Sequence, residues 1–122
     1  MLQHVAIEIP SEEAERSIEF WRLIGFEQVD SPDPLGDRVR WLERDGTQIH
    51  LILTQRHTAP ELGHTAVVTP DVDATLKSLR EAGFEAERNR ELWGAKRGIA
   101  IGPGGHRVEL MAFPPPRATG TS

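Results

Sequence analysis

The chain reads as an α+β protein made of two βαβββ modules. Three observations predict this: an internal repeat, strand-type alternation that gives way to helical spacing once in each half, and turn residues at matching points of the two halves. QHVAIEIP from Gln3 aligns with GHTAVVTP from Gly63, which puts His4 on His64, Ala6 on Ala66 and Pro10 on Pro70. The frame continues through Ile24-Gly25-Phe26-Glu27, which falls on Ala82-Gly83-Phe84-Glu85. Gly46 to Leu51 falls on the Gly104-Gly105-His106 stretch through Leu110, and this sets His50 on Glu109. Recurrence of this kind marks a duplicated supersecondary unit. At 122 residues the chain has the length of one domain. Modules of roughly 55 to 60 residues are marginal alone and are expected to share a core. The expected divisions are residues 1–56 and 57–113, with 114–122 as a disordered tail.

Residues 3–9 alternate His4, Ala6 and Glu8 with Val5, Ile7 and Ile9, the period of a half-buried strand that Pro10 ends. Ser11 is expected as a helix N-cap, with Glu12 and Glu13 at the positive end of the dipole. Ile18, Trp21 and Ile24 then recur at helical spacing until Gly25. Strands are expected over 26–30, 38–43 and 47–54, separated by the SPDPLGD loop and the Asp45-Gly46 turn. After a linker at 55–62 the order repeats. A strand covers 64–69, and a helix from about Asp71 carries Val72, Leu76 and Leu79 and stops at Gly83. Strands follow at 84–88, 97–101 and 107–113, with the Gly102-Pro103-Gly104-Gly105 turn before the last.

A net charge of −5 with scattered basic residues points away from nucleic acid and anionic membranes and toward a small-molecule partner. No apolar run approaches the ~18 residues of a membrane span. A first strand starting at Gln3 leaves no room for a signal segment, so a cytoplasmic location is expected. With no cysteine, any metal must be held by nitrogen and oxygen.

On the strands that bear the repeat, Val5, Ile7, Ile9, Ile49, Leu51, Leu53, Val67, Val108 and Leu110 form an apolar face able to receive the helices. The reverse face carries His4, Glu8, Gln48, His50, His64, Arg107 and Glu109. Any one of these is more often a solvated side chain than a ligand. Two repeat-related pairs of ligand-capable residues on one face, His4 with His64 and His50 with Glu109, favour a metal. Three imidazoles and a carboxylate leave a divalent centre near +1 and suit zinc, nickel, cobalt, iron or manganese better than magnesium or calcium. Glu8 lies about 13 Å along the strand from His4, too far to join it directly. Arg97 and Arg107 are expected to anchor a substrate carboxylate or phosphate, with Gln48, Trp41 and Trp93 lining the cavity. Trp21 is expected in the core, and His57 and His106 are expected to be structural or exposed.

Over residues 3–113 the chain resembles the vicinal oxygen chelate superfamily, which includes glyoxalase I, methylmalonyl-CoA epimerase, extradiol dioxygenases and the fosfomycin and bleomycin resistance proteins. The resemblance is carried by QHVAIEIP, SIEFWRLIGFE, GTQIHLIL, GHTAVVTP and WGAKRGIAIGPGGHRVELMAF. It implies paired modules forming a cupped mixed sheet with the helices outside, a metal held by His4, His50, His64 and Glu109, and a homodimer whose cups combine modules of different subunits. His50 departs from the family, whose glyoxalases place Glu there and whose epimerases place Gln. If His50 binds, an octahedral ion keeps two positions for vicinal oxygens, which favours isomerase or lyase chemistry with Glu109 or a metal-bound hydroxide as base. If it does not bind, three positions remain, enough for a bidentate substrate and dioxygen. The expected function is therefore a metal-dependent, glyoxalase-like enzyme acting on a small oxygenated metabolite. The alternatives are a metal-free, bleomycin-resistance-like binder and, behind it, an extradiol dioxygenase or a fosfomycin-resistance-like thiol transferase. GPGGHRVEL suits the transferase, but Ala6 stands where those enzymes place Thr.

Overall fold

Alternating side chains form strands where one face can be buried, and both halves of the chain do this in the same order. The computed structural model describes residues 1–117. The first module contains β1 (His4–Pro10), α1 (Ala14–Leu23), β2 (Glu27–Val29), β3 (Val39–Arg44) and β4 (Thr47–Thr54). The second contains β5 (His64–Val68), α2 (Val72–Glu81), β6 (Glu85–Asn89), β7 (Arg97–Ile101) and β8 (Arg107–Met111). Within one chain these strands make two four-stranded sheets, ordered β1-β4-β3-β2 and β5-β8-β7-β6, each with one parallel and two antiparallel pairings. The duplication is visible in the register. His4 lies opposite Gln48 and Ala6 opposite His50, while His64 lies opposite Arg107 and Ala66 opposite Glu109.

Strand and helix bounds fall within a few residues of expectation, the last strand ending at Met111 and not at Phe113. Ser11 does not cap α1. Residues Ser11–Glu13 form a 3₁₀ turn leading into the helix, and no side chain caps either segment. Such a turn uses backbone acceptors and donors that a capping side chain would otherwise serve. At α2 the Asp71 carboxylate accepts from the Ala74 amide at 3.0 Å, as a true N-cap does. Asp45 and Gly46, both with positive φ, make the tight β3–β4 hairpin. The SPDPLGD loop holds a 3₁₀ turn at Asp33–Arg38. Residues 114–117 carry no regular structure, and the remainder of the expected tail, 118–122, lies outside the described residues. No helix among the described residues is long and apolar enough to cross a membrane.

One apolar cluster spans both modules, drawing Ile18, Phe20, Trp21, Leu42 and Leu51 from the first and Leu76, Leu79, Val108 and Leu110 from the second. Helix α1 is the joint. Phe20 meets Phe84 edge to face at 5.2 Å, and the Arg16 guanidinium lies 3.8 Å over the Phe84 ring while donating to the Ala82 carbonyl at 2.7 Å. His106, buried as a structural residue, contacts the Glu8 carbonyl through Nε2 at 2.6 Å and ties the turn before β8 to β1.

Gly98 lets β7 lie close under α2, since a Cβ there would sit 2.8 Å from Leu76 Cδ1 and 3.1 Å from the Glu87 carbonyl. Gly98→Ala should therefore cost about 1–3 kcal/mol through overpacking, read as a lower urea midpoint at unchanged slope. An unshifted midpoint would mean that the α2–β7 contact is slack.

Candidate functional site

The polar face of the first sheet brings three rings together, because β4 runs between β1 and β3 and places His50 beside Ala6 on one side and Trp41 on the other. The His50 ring stacks on Trp41 at 4.0 Å with planes 1° apart, and on His4 at 4.1 Å with planes 13° apart. The His4 Nδ1–H donates to the Gln3 side-chain oxygen at 2.6 Å, and the His50 Nε2–H donates to that of Gln48 at 2.7 Å. An amide oxygen only accepts, so in the neutral ring the lone pair sits on the other nitrogen, Nε2 in His4 and Nδ1 in His50. Gln48 is held in this orientation by its own donation to Glu43 Oε1 at 2.9 Å. Burial pushes the His50 pKa below the ordinary imidazole value, and the neighbouring His4 pushes it the same way.

The second sheet holds the other pair. The His64 Nδ1–H donates to the Leu62 carbonyl at 2.9 Å, which in the neutral ring leaves the Nε2 lone pair facing Glu109 Oε1 at 3.5 Å. Two acceptors confront each other there, an arrangement relieved by a proton or a cation between them. The separation is also close to the roughly 3 Å between neighbouring ligands of an ion bonded at ~2.1 Å to each. Glu109 is buried, and the same Oε1 takes a hydrogen bond from Arg97 Nη2 at 3.0 Å. Arg97 is buried too, donating from Nη1 to the Arg90 carbonyl at 2.8 Å, with its guanidinium 5.1 Å from the centre of the Trp93 ring.

Within a single chain these are two separate clusters. Among the described residues, no three histidine, aspartate or glutamate side chains stand close enough to hold one ion. His4 and His64 are exposed on β1 and β5, the terminal strands of their sheets, whose outer edges pair with no other strand among the described residues. A cavity of about 410 Å³ between these strands is lined by Ala6, Glu8, His64 and Arg107. A larger one of about 840 Å³ runs over the polar face of the second sheet past Ile99, Ile101 and Arg107.

The family model for the Glyoxalase/Bleomycin resistance protein/Dioxygenase superfamily matches residues 2–110. The chain belongs to this superfamily. No curated protein matches it in sequence. Among solved structures it is similar to a glyoxalase family protein from Bacillus anthracis, at 24% identity and a TM-score of 0.79 over 91% of this chain and 93% of that one. It is also similar to lactoylglutathione lyase from Agrobacterium tumefaciens, at 17% identity and 0.69 over 91% and 92%. A third likeness is to the oxidase ChaP-H2, at 18% identity and 0.72 over 94% of each chain. At these identities the shared property is the fold.

In this glyoxalase-superfamily chain the residues expected to touch substrate are placed in three ways. Arg107 borders both cavities. Trp41 and Gln48 face the polar side but are engaged with His50. Arg97 and Trp93 are engaged with Glu109 and with each other. The pairing of Arg97 with Glu109 was not anticipated from the sequence. Its only sequence signal is that residues 97 and 109 share one face of adjacent strands, two positions out of register.

Arg97→Met should cost about 3–5 kcal/mol in urea unfolding by stranding a buried carboxylate, and Arg97→Met with Glu109→Leu should recover most of the loss. A double variant that loses the sum of the two single losses would mean the pair is not coupled. His50, held below its unfolded pKa, contributes stability that is full above the ordinary imidazole pKa of about 6.5 and is lost as pH falls through its folded value. In an NMR titration its ring proton should move at lower pH than that of an unfolded-chain histidine. Movement at or above that pH would contradict the burial argument.

Proposed function

We propose that the chain is a metal-dependent enzyme of this superfamily acting on a small metabolite with vicinal oxygens. His4, His64 and Glu109 are its metal donors, brought together by the pairing of two copies. The carrying observation is the state of the donors. His4 and His64 each commit Nδ1–H to an oxygen and, as neutral rings, present the Nε2 lone pair, the tautomer that outer-shell partners fix in metal-binding histidines, and His64 Nε2 already faces a carboxylate oxygen. A set of two imidazoles and one carboxylate suits a divalent transition metal such as zinc, nickel, cobalt, iron or manganese.

The dimer follows from where the donors lie. His4 and His64 sit on unpaired sheet edges, and Leu2, Leu62 and Val68 next to them are exposed at 64%, 76% and 40%. Open edges flanked by apolar side chains invite a second chain. The first module of one subunit set beside the second module of its partner would give each ion His4 from one chain and the partner's His64 and the partner's Glu109 from the other.

When bound, such a metal supplies Lewis-acid polarisation of the substrate's oxygens. The remaining work belongs to the chain. Arg97 holds one oxygen of Glu109 and leaves the other free to accept a proton, which suits isomerase or lyase chemistry by proton transfer. Arg107, at the mouth of both cavities, would bind an anionic group of the substrate. The three stacked rings favour a second reading, a metal-free binder that lays a planar compound against them.

Elemental analysis of untagged protein should find one transition metal per chain, lost in His4→Ala and in Glu109→Ala. Mixing these two variants should restore one intact site per heterodimer. Protein that takes up no metal after loading would support the binder, and no recovery on mixing would assign each site to a single chain.

A further inference from the structure

Resting on that reading of His4, we propose that His50 acts as a positioning residue, orienting the His4 ring by stacking and standing outside the coordination shell. The ring planes decide between the two roles. A metal–imidazole bond lies in the plane of its ring at about 2.0–2.1 Å from nitrogen. With centroids 4.1 Å apart and planes 13° from parallel, an ion in the plane of His4 lies roughly 3–4 Å off the plane of His50. No single point serves both lone pairs while the stack stands.

The two rings also differ in how firmly they are held. His4 is exposed on an edge strand, and among the described residues its ring hydrogen-bonds to Gln3 alone, a neighbour that is itself exposed. His50 lies on β4, paired on both sides. Trp41 lies against one of its faces, and the Glu43–Gln48 chain fixes its Nε2–H. The rigid ring can therefore align the loose one. The second module lacks this device, since the strand neighbour of Glu109 on β7 is Ile99 where His50 has Trp41. Duplication supplied the same position twice. In one module it carries a donor, and in the other a flat support for the donor on the next strand.

The test is zinc affinity, measured by competition with a chromophoric chelator on the dimer, together with the visible spectrum of the cobalt-substituted protein. A ligand role and a stacking role part at His50→Phe, which keeps a flat ring and removes every nitrogen. We expect His50→Phe to hold zinc within a few-fold of the wild type with an unchanged cobalt spectrum. His50→Ala and Trp41→Leu should weaken it by about 10- to 100-fold, the usual loss when an orienting partner of a ligand is removed. His4→Ala should abolish the site. If His50→Phe loses zinc as fully as His4→Ala, or its cobalt spectrum reports a changed coordination number, the positioning role is overturned. It is equally overturned if His50→Ala binds as tightly as the wild type. Wild-type protein that binds no zinc would instead defeat the metal reading itself, a result separable from failure of the His50 role alone.

Discussion

Parallel pairing of the first and last strand in each module is the constraint from which the site follows. A parallel pair cannot be closed by a hairpin, so a long crossover must separate its members, and here that crossover is a helix and two further strands. The helix covers the apolar face and leaves the other face open. In consequence residues nearly a module apart in sequence, 4 and 50 or 64 and 109, become neighbours on that open face. Had β1 and β4 been joined by a tight turn, the same side chains could meet, but without the covering layer that makes one face polar and the other core.

The sequence carried the parts of this architecture that depend on period. Alternation placed His4, His50, His64 and Glu109 on one face, and glycine marked the ends of both helices, where Gly25 and Gly83 adopt φ of 105° and 91°. What depends on the reach and rotamer of long side chains was not legible. Arg97 reads as an anchor for a substrate anion because strand parity does not say whether a guanidinium extends outward or folds back, and here it turns to a buried carboxylate. The stack of His4, His50 and Trp41 is equally a matter of rotamers, and so is the division of four apparent donors into one facing pair and one stacked pair. Ser11 failed as a cap for a different reason: the backbone found a 3₁₀ solution that needed no side chain.

The two clusters differ in their electrostatics. In the first, His50 is a half-buried imidazole whose N–H donates to Gln48, which in turn donates to the Glu43 carboxylate. In the second, the buried member is a carboxylate with a guanidinium bound to it. Burial of a charge in the second module is tolerated because a countercharge is buried with it, at a desolvation cost that packing elsewhere must offset. Preserving such a pair makes sense where the geometry of the carboxylate matters more than its contribution to stability.

The contact of Phe20 with Phe84 limits what duplication can still do. An ancestral single module would have buried its helix against its own sheet alone, and could have paired with any identical copy. Now α1 also shields the start of β6, and Arg16 is bonded to the end of α2. The halves are no longer interchangeable parts, so a cut at the linker would uncover an aromatic surface on both fragments. Any recombination that swaps one half for a relative's must carry over the matching ring and guanidinium together.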